Sequence, residues 1–412
     1  MRIRLIRLSF REAIIMALSS IIALAGLIRF LTGLSVSYAD DLLTVFVILS
    51  AVITIVRLKK RNVVSLFVLP LLFTSVGLIG NYINTYQYNK FAIFTDLLGW
   101  QKFMLLYACF NIILSSERIN IYLKYTEKLL KLMIVVGVIQ EVLNLCRIVT
   151  LAPGFDRFGL PAFTFGMHPS NTSSILALAV SVLSVHEKKN KKYIYLAILL
   201  GILTFRFKSI AFGFLAVYFL FKDKIVVGKN QKRIPVGIQM IPLVIAILII
   251  SWEQIQFYFV SPTASRARAL VSAFYLAKMS FPVGGGFATF GTQMSGAYYS
   301  SAYQEVGLSS IWGFTKDNYD FIGDGGFATI IGQFGYAGLL AVITFFVWLL
   351  KYLKKTSGLK ELPTAELLLV AYLIISQSNE GALCSENAPL FALMLAIFTI
   401  HYGYSFKRDE IK

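Results

Sequence analysis

The chain has 412 residues, of which 57% are hydrophobic and only 15% are charged, whereas soluble domains are about 25% charged. This composition excludes a soluble globular protein. The formal net charge of +18 raises the question of nucleic-acid binding, but the basic residues cluster in alternate gaps between long apolar runs. There they indicate membrane topology, and no nucleic-acid partner is predicted.

The apolar runs predict an all-α polytopic membrane protein, because a helical span needs about 20 apolar residues. We predict about twelve transmembrane helices in one integral membrane domain, residues 1–412, with both termini cytoplasmic by the positive-inside rule. Several runs are short, so we expect buried polar turns to extend some helices. The predicted spans are 13–34, 42–56, 63–80, 102–115, 132–146, 171–185, 193–205, 209–221, 235–251, 326–350, 364–377 and 389–404.

Four longer stretches lie on the predicted external side, at 81–101, 147–170, 252–325 and 378–388. The longest, 252–325, is rich in Gly, Ser, Tyr and Phe rather than in the charged residues that promote disorder. We therefore predict that 252–325 is a large periplasmic or extracellular loop that contains short helices and caps the membrane domain.

The sequence contains no signature of a nucleotide or metal site. Neither a P-loop nor a dinucleotide fingerprint occurs between the spans, so any reaction must use a substrate that supplies its own energy. The histidines and cysteines are too dispersed for a metal cluster or a disulfide framework. They are His168, His186, His401, Cys109, Cys146 and Cys384. We predict no metal and no cofactor.

Arginines within or beyond the membrane are the most informative positions, because one at the bilayer centre costs about 2.5–3.5 kcal/mol on insertion scales. Arg157, Arg206 and either Arg266 or Arg268 come from three external segments. A guanidinium group binds phosphate oxygens in pairs, so three of them would hold a pyrophosphate and stabilise it as a leaving group. Alternatively, each arginine anchors a lipid headgroup or pairs with a carboxylate, such as Asp156 beside Arg157.

A helix is predicted to begin near Arg266. Residues two positions apart on a helix point about 200° apart, so at most one of Arg266 and Arg268 faces the pocket. The breaker and glycine run at 281–287 favours either a close approach of backbone to a ligand or a plain turn. The predicted N-cap and apolar face of the helix are Ser265, Leu270, Phe274 and Ala277.

Carboxylates near the predicted external surface are candidates for a general base. Asp324 is the best placed, because it precedes Gly325-Gly326 at the entry to the tenth span. The two glycines leave room for a sugar, and burial would raise the carboxyl pKa toward neutrality. Asp317 and Asp320 are equally consistent with a solvated loop. Second choices, on the acceptor side, are His168, Glu380 and Glu386.

Four motifs, in their order along the chain, carry a resemblance to a known family. They are Arg157-Phe158-Gly159 with His168-Pro169-Ser170-Asn171, Thr204-Phe205-Arg206, Ser265-Arg266 with Pro282-Val283-Gly284-Gly285-Gly286-Phe287, and Asp324-Gly325-Gly326-Phe327 with Phe334-Gly335-Tyr336-Ala337-Gly338. In order and topology they resemble motifs of the superfamily of bacterial O-antigen and capsule polymerases (Wzy-type) and O-antigen ligases.

The resemblance implies a GT-C-like glycosyltransferase architecture and a metal-independent, inverting transfer at the outer face of the bacterial plasma membrane. The implied donor and acceptor are oligosaccharides linked to undecaprenyl pyrophosphate, and the implied protein partners are a chain-length regulator and a flippase. Ligases of the superfamily usually carry a histidine near the end of the large loop. Because Asp324 occupies that place, a polymerase of lipopolysaccharide or capsule repeat units is favoured over a ligase. A lipid-linked-oligosaccharide flippase is the third alternative.

Overall fold

The structure is a computed structural model that describes residues 9–36, 38–58, 64–151, 154–157, 159–221, 245, 252, 256, 264–359 and 361–410. Within these ranges the chain is predominantly helical and has no β-strand. The α-helices are α1 (Phe10–Thr32), α2 (Ala39–Leu58), α3 (Val64–Asn84), α4 (Lys90–Ile113), α5 (Ile119–Leu145), α6 (Pro169–Ser184), α7 (Glu187–Leu203), α8 (Phe207–Phe221), α9 (Ser265–Met279), α10 (Gln293–Ala297), α11 (Ala302–Glu305), α12 (Gly326–Ser357), α13 (Thr364–Gln377) and α14 (Ala388–Glu410).

The length and apolar composition of several helices identify the chain as an all-α membrane protein. Helices α1, α2, α3 and α12 are long and apolar enough to cross a bilayer, and shorter apolar segments occur in α8, α13 and α14. The predicted ninth span, 235–251, lies outside the described residues except for Ile245. The predicted total of twelve spans and the cytoplasmic termini therefore remain predictions.

Two predicted boundaries were wrong by several turns. Helix α4 begins at Lys90, not at residue 102, so most of the predicted external stretch 81–101 is helical. Helix α5 likewise begins at Ile119 instead of residue 132. The polar residues that suggested loops have partners in the fold: Lys102 lies between Asp40 and Asp41, with its Nζ 2.6 and 2.7 Å from their carboxylates. An ion pair of this kind lets a helix continue through a charged position.

The helices pack around one large apolar core that α4 and α14 cross. Trp100, Phe103 and Phe398 are fully buried in it. Successive helices α6, α7 and α8 run in opposite directions, and so do α12, α13 and α14, because short connections join them. Helix α5 is joined to α6 by the longer segment 146–168, in which Leu151 and Ala162 bond to Asn144 at the end of α5. As a result, the end of α5, the beginning of α6, the turn between α7 and α8, and the connection from α13 to α14 meet at one end of the bundle.

The loop after α9 passes between α3, α4 and α12 instead of only covering them. The Asn81 side chain binds the backbone of Phe287 at both its N–H and its C=O, at 2.8 and 2.9 Å. The Ala288 N–H donates to Asp96 on α4 at 2.7 Å. Irregular backbone at this depth is tolerated because side chains from the neighbouring helices satisfy its polar groups.

The glycine run of this loop allows close packing against a neighbouring helix. A side chain at Gly284, which has a φ of +71°, would lie 2.3 Å from the backbone nitrogen of Gly335. Gly335 itself has a φ of +60° and interrupts α12. The close approach that Gly284 permits is therefore to the backbone of a neighbouring helix.

Helix α9 also departs from its predicted pattern. Ser265 is the first helical residue and Ala264 is the N-cap, with no side-chain capping bond. Ala273 and Ala277 are fully buried, but Phe274 is 42% exposed, so Phe274 does not belong to the buried face. Leu276 replaces it there, because residues 273, 276 and 277 share one face at helical spacing.

Candidate functional site

A polar cavity lies at the end of the bundle where α5, α7 and α13 finish and where α6, α8 and α12 begin. Its volume is about 610 Å³, including solvent at its mouth. Twelve residues line it: Phe155, Arg157, Ser170, Thr204, Phe205, Arg206, Phe207, Lys208, Arg266, Asp324, Asn379 and Glu380. Segments that are far apart in the sequence therefore form one site.

The structure brings Arg157, Arg206 and Arg266 to this cavity. Arg157 comes from a tight turn in which its backbone exchanges two 2.9 Å hydrogen bonds with Leu160. Arg266 comes from the first turn of α9, and its Nη1 donates to the side-chain Oδ1 of Asn379 at 2.8 Å. Arg268 does not line the cavity, as expected for a residue two positions further along the helix.

Arg206 is held between an aromatic ring and an imidazole. It follows Phe205, whose φ of +50° is uncommon for a residue with a side chain. The guanidinium carbon of Arg206 lies 5.1 Å from the centre of the Phe155 ring, a cation–π distance. Its Nη2 is 3.0 Å from Nε2 of His168. These contacts fix the direction of the guanidinium group at the cavity wall.

His168 acts in the structure as a support for Arg206. An arginine only donates hydrogen bonds, so Nε2 of His168 must carry the lone pair that accepts from it. Nδ1 then carries the proton and cannot also accept the Ser170 N–H, which lies 3.3 Å away. Although part of the ring is open to solvent, desolvation of the rest and the nearby charge of Arg206 lower the pKa of His168 to about 4. A neutral imidazole with an occupied lone pair is a weak candidate for a base.

Beneath the arginines lies a buried ion pair between Lys208 and Glu380. Lys208 is only 1% exposed, and its Nζ donates to Oε1 of Glu380. The hydroxyl groups of Ser170 and Ser376 donate hydrogen bonds to the same carboxylate. Burial alone would raise the pKa of Glu380, but the Lys208 charge and these hydrogen bonds outweigh it and hold the pKa below its usual value. Glu380 is therefore a poor proton acceptor.

Asp324 differs from Glu380 in its electrostatics. Burial raises the pKa of Asp324, and the nearby charges of Arg266 and Arg206 offset only part of that effect. A carboxylate with a raised pKa accepts a proton more readily near neutral pH. Of the two carboxylates in the cavity, Asp324 is thus the better base.

One of the two glycines after Asp324 is required for close helix packing. A side chain at Gly326 would lie 2.3 Å from the backbone oxygen of Glu380, so residue 326 must be glycine for α12 to begin against the end of α13. A side chain at Gly325 would contact one atom among the described residues, the Cβ of Ala328 at 3.5 Å, which is an ordinary van der Waals distance. The prediction that both glycines make room for a sugar was therefore wrong for Gly326.

Glu386 lies outside this cavity. It lines a separate depression with Asp40 and Asn387, beside the first turns of α2 and α14. Burial and the nearby charge of Asp40 raise the pKa of Glu386. Asp317 and Asp320 are exposed on the loop. None of these three acids lines the arginine cavity. Among the described residues, no group of three or more His, Cys, Asp or Glu side chains could hold a metal ion.

The cavity carries an excess of positive charge. Among the described residues that line it, four are cations (Arg157, Arg206, Lys208 and Arg266) and two are carboxylates (Asp324 and Glu380), so two positive charges remain when all six are ionised. Such an excess favours a dianion, and guanidinium groups favour phosphate oxygens. A base beside an anion site could remove a proton from a second substrate.

The sequence indicated the arginines but not the residues that hold them. Lys208 belongs to the basic residues within or beyond the membrane, which the sequence marks as costly, but nothing in the sequence indicated its pairing with Glu380. Asn379 gave no signal, since an asparagine in a loop is ordinary. Phe155 was indicated only by its position two residues before Arg157, and Ser170 only as a member of the motif His168-Pro169-Ser170-Asn171. No protein-family model matches the chain, and no curated protein matches it.

Proposed function

We propose that the protein is a polysaccharide repeat-unit polymerase of the bacterial plasma membrane, with its active site on the periplasmic or external side. It transfers a glycan from undecaprenyl pyrophosphate to a lipid-linked repeat unit. The observation that carries the proposal is the meeting of Arg157, Arg206 and Arg266 with Asp324 in one cavity. The end of the bundle that holds the cavity is opposite the ends that carry the lysine clusters of α5, α7 and α12.

The donor's pyrophosphate fits the cavity by charge. A pyrophosphate linked to a lipid on one side and to a sugar on the other carries one negative charge on each phosphate, which matches the two excess positive charges of the lining residues. The three guanidinium groups bind the phosphate oxygens. They also stabilise the charge that the pyrophosphate gains when its bond to the sugar breaks.

Asp324 has the role of general base. Its carboxylate takes the proton from the acceptor sugar's hydroxyl, and that oxygen attacks the anomeric carbon of the donor. The bond between the anomeric carbon and the phosphate oxygen breaks, and undecaprenyl pyrophosphate leaves with both electrons of that bond. Attack opposite the leaving group inverts the anomeric centre. Asp324 then returns the proton to solvent.

The Arg266 and Arg268 pair tests the proposal with a control inside one helix. Undecaprenyl pyrophosphate is titrated into protein in lipid nanodiscs, and its dissociation constant is measured. We expect Arg266→Gln to weaken binding at least tenfold, because charge-assisted hydrogen bonds contribute about 1.5–3 kcal/mol. Arg268→Gln removes the same charge outside the cavity and should change the constant less than about twofold. Equal effects of the two substitutions would contradict the proposed anion site.

The products formed in cells discriminate between the polymerase and its alternatives. In cells that lack the native gene, the wild-type protein should restore glycan chains of many repeat units. A ligase would transfer glycans without adding repeat units. A flippase would move the lipid-linked unit across protein-containing liposomes when no acceptor is present. Either result would overturn the polymerase assignment.

A further inference from the structure

A second cavity lies between α1 and α5, and it shares no lining residue with the arginine cavity. Its volume is about 430 Å³, again including open space at its mouth, and most of its lining atoms are apolar. Leu178 of α6 and Leu390, Leu393 and Met394 of α14 form its floor. The groove is therefore a gap on the flank of the bundle.

The groove faces the lipid-exposed side of both helices. Only 28% of the apolar window of α1 is buried in the protein, and Leu132, Val135 and Ile139 on α5 are 61, 43 and 57% exposed. A hydrocarbon chain from the bilayer can enter such a gap sideways.

Two hydroxyl groups in the groove have no hydrogen-bond partner among the described residues. They belong to Tyr122, which is 1% exposed, and to Ser19. Leaving a buried polar group unpaired costs about 1–3 kcal/mol. By contrast, the neighbouring hydroxyl groups of Ser20 and Tyr125 form a hydrogen bond with each other at 2.9 Å. Hydroxyl groups that line the groove can therefore form hydrogen bonds. The unpaired hydroxyls call for a ligand with an acceptor atom.

Charged residues mark one end of the groove. One helical turn before Tyr122 on α5 is Arg118, and one turn before Met16 on α1 is Glu12. These two residues form an ion pair. The Arg118 side chain is 30% exposed, and a guanidinium group has five donors, so it can bind an anion as well as Glu12. Arg11 lies beside this pair and extends to Thr54 and the Ile113 carbonyl.

We propose that this groove is a specific site for one acyl chain of an anionic phospholipid, from the leaflet at the lysine-rich end of the bundle. The lipid phosphate accepts from Arg118, an ester carbonyl accepts from the Tyr122 hydroxyl, and the chain lies against Leu129, Leu390 and Met394. This site is independent of the proposed glycan chemistry. Its chemistry is that of a phospholipid, and none of the residues that line it lines the arginine cavity.

Native mass spectrometry of the full-length protein in detergent tests the site, with dioleoyl phosphatidylglycerol as the probe and dioleoyl phosphatidylcholine as the neutral comparison. The wild-type protein should bind one phosphatidylglycerol at least about tenfold more tightly than any further copy. Phosphatidylcholine, which has the same chains, should not show this tight first site.

Two substitutions with matched controls distinguish the groove from general lipid contact. Tyr122→Phe keeps the ring and removes only the hydroxyl, so it should weaken the first phosphatidylglycerol about fivefold, the usual effect of one neutral hydrogen bond. Ser19→Leu fills the groove and should abolish that first site. The controls Tyr82→Phe and Ser75→Leu lie on exposed parts of α3 and should leave it unchanged. Equal occupancy in all five proteins, or equal binding of both lipids, would overturn the proposal.

Discussion

Asp324→Asn removes the proposed base while preserving the shape of its side chain. The loss of a general base typically lowers a rate 10²–10⁴-fold, which corresponds to about 3–5 kcal/mol in the activation barrier. Binding of undecaprenyl pyrophosphate should not weaken, because the substitution raises the excess charge of the cavity from two to three positive charges. The predicted signature is thus an almost complete loss of transfer with full donor binding.

The stability of the same variant gives a second measurement with a definite sign. Burial raises the pKa of Asp324 in the folded protein, so ionised Asp324 destabilises the fold at pH values above its folded pKa. Asn cannot ionise. We therefore expect Asp324→Asn to have a thermal unfolding temperature at pH 7 equal to or above that of the wild-type protein. Transfer by the wild-type enzyme should fall as the pH decreases through the raised pKa, since only the carboxylate accepts a proton.

The assay is repeat-unit polymer length on gels from cells that lack the native gene, together with donor binding in nanodiscs. Asp320→Asn is the matched control, because Asp320 is an exposed acid of the same loop and should leave polymer length unchanged. Full-length polymer from Asp324→Asn would show that the base lies elsewhere. A variant that fails to fold would show that Asp324 is structural and would refute the reasoning.

Three further substitutions test the support of the site. His168→Ala removes the acceptor that orients Arg206 and should weaken undecaprenyl pyrophosphate binding about tenfold, the usual scale for a hydrogen bond to a charged group, without lowering the unfolding temperature by more than a few degrees. Glu380→Gln leaves Lys208 buried without its counter-charge and should destabilise the protein by about 3–5 kcal/mol; in denaturant unfolding, the double variant Lys208→Met/Glu380→Gln should recover part of this loss. Gly326→Ala places a methyl group against the Glu380 carbonyl and should cost about 1–3 kcal/mol, whereas Gly325→Ala should change the unfolding free energy far less; equal effects of the two would contradict the packing argument.

The sequence was sufficient for the class of protein and for the kinds of residue at the site. Long apolar runs are incompatible with a soluble fold, so the all-α membrane architecture follows from composition. Arginines such as Arg157 and Arg206 were informative for the same reason, because a charge near the membrane is costly enough to need a purpose. Helix boundaries were less predictable. Helix α4 extends to Lys90 because Asp40 and Asp41 neutralise Lys102, and a pairing across 62 positions has no local pattern.

The tertiary structure alone decided which polar residues work together. Arg266 and Arg268 are the same type of residue in the same helix, and only the packing of α9 turns Arg266 toward Asn379. Glu380 and Glu386 are six residues apart, yet Lys208 binds the first while the second lies in another depression. The glycine run 284–286 fits against α3 and α12, which no spacing rule could specify. Local sequence determines where a chain can be helical and what it can bury, but the environment of each charge depends on partners that only the folded bundle brings within reach.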